Sequence, residues 1–426
     1  MYKIIYALLL LSVLLSVSCK KETQQTTNPT VDPLVKFTSD TFNDMYLWYN
    51  TLPKVDLTTF KTPAEYISAV HYVKDRWSFT MTYTDMQKLL QNGETTGWGL
   101  GLAFDAQKLL RVLYVYDNSA MGKAGIKRGW QIKGINGKLV SAMSVSEVNT
   151  QIGNTSNTFD FIKNDGSELV VAMTKGAIVI NSVLYSTIYP VAAKKIGYLV
   201  FNEFLGSSVK ELNTAFNTFL TGGITDLILD LRYNGGGTLN CADSLVAILA
   251  GKTYKDKVYN TLIYNDKHTT LGFSSAIKLK SNSVQLNNLV VLTTYSTASA
   301  SELVIAGLKP YLNIKLIGSA TQGKPVGMNI AGDTKLNIAV IPISFKNVNS
   351  QGYTDYFDGI PVDVSVADNV SQDWGSSADG SLTAAINYIS TGSVGFTPVT
   401  KSIILPGKII YRGSDTPVEN AYMISQ

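Results

Sequence analysis

The chain has 426 residues, 45% of them hydrophobic and 16% charged, and 36 Lys and Arg against 32 Asp and Glu leave a net charge of only +4. That balance excludes disorder as the default and gives length for roughly two to three domains. Because the basic residues are dispersed rather than gathered around aromatics, no nucleic-acid partner is expected. Two His and two Cys, without paired ligand spacing, exclude a convincing zinc site, so neither metal nor cofactor is expected.

Residues 1–19 combine an early lysine with an apolar run from Ile4 to Val17, too short for a membrane span, and predict an export signal. The run ends in Ser16-Val17-Ser18-Cys19, which resembles the lipobox of bacterial lipoproteins, with Ser16 where that pattern favours leucine. The resemblance implies lipidation of Cys19, a membrane anchor and a place in the bacterial cell envelope, facing the periplasm or the cell surface. The alternative is a secretory signal cleaved near Ser18, with Cys19 incidental. Residues 20–33, polar and rich in Thr and Gln, read as a flexible tether.

Between residues 34 and 92, Phe42, Met45, Tyr46 and Tyr49, then Ala64, Ile67, Val70 and Val73, recur at three-to-four spacing and predict a small helical N-terminal domain. Residues 93–176 change to short strands punctuated by glycine. Gly97-Trp98-Gly99-Leu100-Gly101-Leu102, with Ala124-Gly125-Ile126 and Ile135-Asn136-Gly137 following, resembles a PDZ domain. The resemblance implies that Gly99, Leu100, Gly101 and Leu102 bind a peptide, their backbone N–H groups converging on a carboxylate while the peptide adds a strand to the sheet edge. A plain tight turn is the alternative.

From 177 to 392 strands and helices alternate. Strands are expected at Ile196–Phe201, Leu227–Leu231, Leu289–Thr294 and Ile314–Ile317, and helices over Ser208–Leu220 and Glu302–Leu312. Ser299 then falls at a strand-to-helix junction and Lys324 in a loop after the next strand. A serine hydroxyl needs a base to become a nucleophile. Neither His71 nor His268 has the context of a triad imidazole, which leaves a lysine as the economical base. Lysine serves only when neutral, so its amine must be buried, and the loop Ser319–Gly323 carries no acid that would hold it charged. The run Asp230-Leu231-Arg232-Tyr233-Asn234-Gly235-Gly236-Gly237 follows a buried strand and offers backbone N–H groups for an oxyanion, joined by that of Ala300.

The ordered motifs Asp-Leu-Arg-x-Asn-Gly-Gly-Gly, Thr-Ala-Ser-Ala-Ser-Glu and Gly-Lys 25 residues on resemble the carboxyl-terminal processing, or tail-specific, serine peptidases. That likeness implies a multidomain α+β protein with a crotonase-like α/β protease core and Ser299 and Lys324 as nucleophile and base. Gly236 or Gly237 with Ala300 would form the oxyanion hole, and Glu302 would be a supporting acid. Its substrates would be polypeptides, recognised through their C-termini. Two departures stand out: Met328 where relatives carry a glutamine that orients the lysine, and Tyr233 in place of an asparagine. Each motif also has a plain reading: Ser299 and Glu302 as a helix capping box, Lys324 as a surface lysine, the glycines as an ordinary loop, Arg232 and Asp230 as an ion pair bracing that loop, and Cys241 as a small buried residue. A non-catalytic peptide- or ligand-binding lipoprotein on the same scaffold is the rival to hydrolysis.

A helix over Leu382–Ile389 is expected to close this domain. Residues 393–426, with strand-like 402–405 and 408–411, form an extension that packs on the core or joins a neighbouring chain.

Overall fold

The computed structural model describes residues 30–395 and 409–414, and the backbone of 423–425. The export signal, Cys19, most of the tether and the strand expected at 402–405 lie outside the described residues. Among the described residues, no helix is long and apolar enough to cross a membrane.

Chain entry follows local capping rules. Asp32 accepts the N–H of Leu34 at 2.8 Å ahead of helix Pro33–Met45, and Thr62 accepts that of Glu65 at 3.2 Å ahead of helix Pro63–Val70. Proline stands at the first turn of both, where its missing N–H costs nothing. The N-terminal segment is not purely helical, however. Strand Phe79–Met81 pairs antiparallel with Ile338–Ile341, Phe79 facing Ile341, so this region is stitched by backbone bonds into the later part of the chain. The apolar spacing that marked its helices also describes the half-buried surface on which they pack, and sequence separation hid the strand's partner.

The second region is a sheet in the order Ile409–Arg412, Leu100–Phe104, Leu110–Val115, Gln131–Ile135, Ser156–Ile162, Glu168–Thr174. Its inner residues, among them Leu102, Val112, Ile132 and Phe161, pack with Trp98 against helix Val145–Gly153 through Val148 and Ile152.

The third region centres on a six-stranded sheet in the order Val183–Val191, Lys194–Phe201, Asp226–Asp230, Asn288–Thr293, Ile314–Gly318, Val364–Ser365, parallel after its first antiparallel pair. Leu199, Leu229, Val291 and Leu316 face helices Ser208–Gly222, Leu239–Tyr254 and Ala300–Leu308 on one side. Alternate residues, Tyr198, Ile228, Val290 and Ile317, face helix Gly380–Thr391 on the other. Both faces are covered, which is why these strands read as unbroken apolar runs. Each strand and helix expected here is present, with ends shifted by up to four residues.

Candidate active site

The three motifs follow three adjacent parallel strands. Asp226–Asp230 leads into Leu231–Gly237, Asn288–Thr293 into Thr294–Ser299, and Ile314–Gly318 into Ser319–Lys324. Since parallel neighbours point the same way, all three loops emerge at the carboxyl edge of one sheet, the place where open α/β sheets keep their ligand crevices.

Ser299 sits at the turn into helix Ala300–Leu308 with φ +60° and ψ −114°, a conformation that an L-residue keeps only when its surroundings over-determine it. Those surroundings are explicit. The N–H of Ala298 donates to the carbonyl of Asn234 at 3.0 Å, Ser301 Oγ donates to the same carbonyl at 3.2 Å, and the N–H of Ser299 donates to Glu302 Oε2 at 2.8 Å. The side chain itself is buried, and its Oγ has no hydrogen-bond partner among the described residues. The capping role is thus carried by Glu302, and the serine hydroxyl is left over.

Glu302, fully buried, ties the nucleophile turn to the lysine loop. Its Oε2 also accepts the N–H of Lys324 at 2.8 Å, while Oε1 accepts the N–H of Gly323 at 2.7 Å and the hydroxyl of Thr321 at 2.5 Å. Burial pushes this carboxyl above its ordinary range, and the four donors oppose that rise. Ser299 and Lys324 therefore share one carboxylate oxygen through their main chains.

The Lys324 side chain is fully buried, and the loss of water disfavours its charged form; burial pulls the amine down to about 7. The charges of Asp75 and Glu302 work against that fall. The loop Ser319–Gly323 carries no acid, as its sequence showed, but Asp75 acts on the lysine from 249 positions upstream, invisible to a reading of the loop alone. Nζ lies 3.1 Å from Met328 Sδ and 5.6 Å from the Trp77 ring centre. Met328 thus contacts the amine, but as a thioether it is only a weak acceptor.

In the glycine loop, Gly236 and Gly237 have φ +106° and +143°. A Cβ on Gly236 would come within 2.8 Å of Ser299 Cβ and 2.9 Å of the Ala300 nitrogen, so this backbone lies directly against the nucleophile turn. The N–H of Gly236 is engaged by Asn234 Oδ1 at 2.8 Å, which leaves Gly237 and Ala300 as the amides of interest. The loop is braced from below. Arg232, fully buried, binds Asp230 at 2.7 Å, Asp379 at 2.7 Å and Asp368 at 2.8 Å, so the ion pair expected between Arg232 and Asp230 is one edge of a larger cluster that Arg128 joins through Asp368. Tyr233 donates its hydroxyl to Asp368 and accepts from Arg128 at 2.8 Å.

Sequence reasoning missed Asp75 and Trp77. Asp75 accepts the N–H groups of Trp77 and Ser78 at 2.9 and 3.0 Å and the hydroxyl of Tyr46 at 2.8 Å. Trp77 Nε1 donates to Gln322 Oε1 at 3.1 Å, beside the lysine. The Asp-Arg-Trp-Ser turn was the available signal, since Asp readily bonds the amides two and three residues on. The peptide-site residues Gly99, Leu100, Gly101 and Leu102 are not brought to Ser299. They lie in the neighbouring sheet, linked to the glycine loop by rings of Tyr114 and Tyr233 whose centres are 6.2 Å apart. His71 and His268 stay out of the cluster, bonded to Ile67 and Asp44. Cys241 is buried, with its thiol pushed far up by burial.

Two family models match the chain: peptidase family S41 over residues 195–363, and the peptidase S41 N-terminal domain over residues 36–79. A carboxy-terminal processing protease of Bacillus subtilis is 30% identical over 203 residues, covering 47% of this chain and 41% of the relative. A carboxyl-terminal-processing protease of Picosynechococcus is 26% identical over 242 residues, covering 56% of each. The chain spans about half the length of the curated relatives it matches. A solved structure of a Bacteroides fragilis protein, named as an S41 protease candidate, superposes with a TM-score of 0.70 at 23% identity, covering 86% of this chain and 99% of that one, and shares its fold.

Proposed function

We propose that this chain, which belongs to peptidase family S41, is a serine endopeptidase working through a Ser299–Lys324 dyad. The observation that carries the reading is a fully buried lysine amine brought to about 7, on a residue whose main-chain N–H shares one carboxylate with that of the strained turn bearing a serine hydroxyl with no hydrogen-bond partner among the described residues. Near neutrality a large fraction of that amine is unprotonated and able to act as a base.

Chemistry then follows from position. As Ser299 Oγ attacks the scissile carbonyl, its proton passes to Lys324 Nζ, and the carbonyl oxygen becomes an oxyanion that accepts from the N–H groups of Gly237 and Ala300. Collapse breaks the C–N bond, and the Lys324 ammonium returns its proton to the departing amine. Water attacks the resulting ester with Lys324 again taking the proton, and the ester C–O bond breaks to release the acid and restore the hydroxyl. Glu302 is a positioning residue whose acceptors hold the main chains of both partners, and Met328 packs its thioether against the amine.

The core is read as crotonase-like and residues 93–176 as a PDZ-like domain that takes polypeptide C-termini on the edge at Leu100–Phe104. Cys19 is read as a lipid anchor to the bacterial cell envelope. Supporting a protease core are the fold shared with a solved S41 candidate and the curated relatives named for carboxyl-terminal processing, while the peptide-capturing and lipid-anchor readings rest on the sequence motifs. Purified protein is expected to cleave an unstructured polypeptide such as casein. Ser299→Ala and Lys324→Ala should each abolish cleavage with the circular dichroism unchanged, and full cleavage by either variant would refute the dyad. The rival reading, a non-catalytic binding lipoprotein, is favoured by Met328 alone, and it predicts no cleavage by the unmodified chain.

A further inference from the structure

The edge of the second sheet is already filled. Strand Ile409–Arg412 runs antiparallel to Leu100–Phe104, with Ile409 opposite Ala103, Tyr411 opposite Leu102 and Arg412 opposite Gly101. Beyond the strand, the carbonyl of Gly413 accepts the N–H of Gly99 at 2.8 Å, the Arg412 carbonyl accepts Tyr114 Oη at 3.0 Å, and Tyr411 Oη accepts the N–H of Trp98 at 3.0 Å. The fit is close: a Cβ on Gly97 would lie 2.5 Å from Tyr411 Oη and 2.6 Å from the Gly413 oxygen. An extended segment pairing with a sheet edge and ending on glycine amides is how a peptide ligand adds a strand.

The same segment reaches the glycine loop. Arg412 Nη1 donates to the carbonyl of Tyr233 at 3.2 Å, and its charge acts on Glu203, a buried carboxyl that burial raises to about 7 and Arg412 lowers. Farther on, the backbone of Met423–Ser425 lies as a strand between Gly237–Thr238 and Val326–Asn329, parallel to both, with Met423 beside Gly237 and Ile424 beside Met328. One of those walls carries an amide assigned to the oxyanion, and the other follows Lys324 by two residues. An extended substrate whose carbonyl reaches Ser299 has to pass through this gap.

We propose that strands Ile409–Arg412 and Met423–Ser425 are an intramolecular ligand, holding in cis both the peptide-capturing edge and the gap beside Ser299, and that this edge selects extended segments with an aromatic residue followed by an arginine. The Tyr233 carbonyl receives the basic side chain, with the charge of buried Glu203 acting on it, and Gly99 takes the carbonyl after it. A tethered ligand acts at an effective concentration on the order of millimolar, so a free peptide of micromolar affinity meets a competitor about tenfold or more above its own dissociation constant. The proposal rests on the peptidase reading only for its consequence, that substrate must displace the chain's own strands.

Binding tests it without catalysis. A fluorescent peptide Ile-Ile-Tyr-Arg-Gly-Ser is titrated by anisotropy into the full chain carrying Ser299→Ala, with and without Arg412→Glu, and into a Ser299→Ala chain ending at Gly395. Arg412→Glu and the shortened chain should each bind at least about tenfold more tightly than the parent. Replacing the peptide arginine by alanine, or Glu203→Gln in the shortened chain, should undo most of the gain. Equal binding by parent and Arg412→Glu, or no binding by any form, overturns the self-occupancy, and the full-length pair decides the matter if the shortened chain does not fold. A binding difference without casein cleavage by the unmodified chain overturns the peptidase reading and leaves the intramolecular ligand standing.

Discussion

In the proposed dyad, Lys324 is the residue whose state decides activity. Its amine titrates near 7 in the folded chain against an ordinary 10.5, so kcat/KM should rise with pH through an acid limb close to 7. Asp75 raises the amine by its charge, so Asp75→Asn should move that limb to lower pH, by roughly half a pH unit to one, in a pH–rate profile. An unmoved limb would show that another group titrates. Stability carries the opposite burden. Between pH 7 and 10.5 the unfolded chain holds a proton here that the folded chain does not, so this site's contribution to stability rises with pH across that window and is at its worst below it. Lys324→Met, which removes the buried amine, should therefore raise stability by about 1 to 3 kcal/mol at pH 7 while abolishing turnover. The gap to the parent should close as thermal melts are repeated toward pH 10. Gly236 is decisive for a different reason, lack of space. Gly236→Ala places a methyl 2.8 Å from Ser299 Cβ at a φ of +106°, and a loss of turnover of roughly a hundredfold or more is expected.

At the scale of elements, three strand ends set the site and one arginine sets their height. Arg232 pairs with Asp230, Asp368 and Asp379 inside the protein, and removing it takes the cation from Asp230 and Asp379 while Asp368 keeps Arg128. Arg232→Met should cost about 3 to 5 kcal/mol in urea unfolding. The strands were legible because each is covered on both faces and reads as a continuous apolar run, and Gly236, Ser299 and Lys324 stood out because their ordered motifs resemble those of carboxyl-terminal processing peptidases. Asp75 and Trp77 were not, since neither belongs to a periodic element and their contacts with Gln322 and Lys324 span some 250 positions. Strand Phe79–Met81 was hidden for the same reason: its partner, Ile338–Ile341, gives no local signal. Glu302 was visible as a capping acid, but its bonds to Gly323 and Lys324 became visible only once the two loops met.

Across the whole molecule the site is a composite. The N-terminal region supplies Asp75 and Trp77, the third region supplies the proposed nucleophile, the amine and the glycine loop, and strands Ile409–Arg412 and Met423–Ser425 pair with the second sheet and with Gly237–Thr238. The strand at 409–412 was expected at 408–411, whereas its docking edge was not, because register on a sheet edge is set by tertiary fit rather than by the strand's own residues. Catalysis in this arrangement depends on regions far apart in sequence keeping one amine dry. That dependence is tested most directly by the acylation rate of Ser299 with a serine-reactive probe, mapped by mass and followed against pH in the parent and in Lys324→Met. Labelling should fall on Ser299 alone, accelerate through pH 7, and drop about a hundredfold or more in the variant. Labelling at another residue, or an equal rate without the amine, would contradict the account.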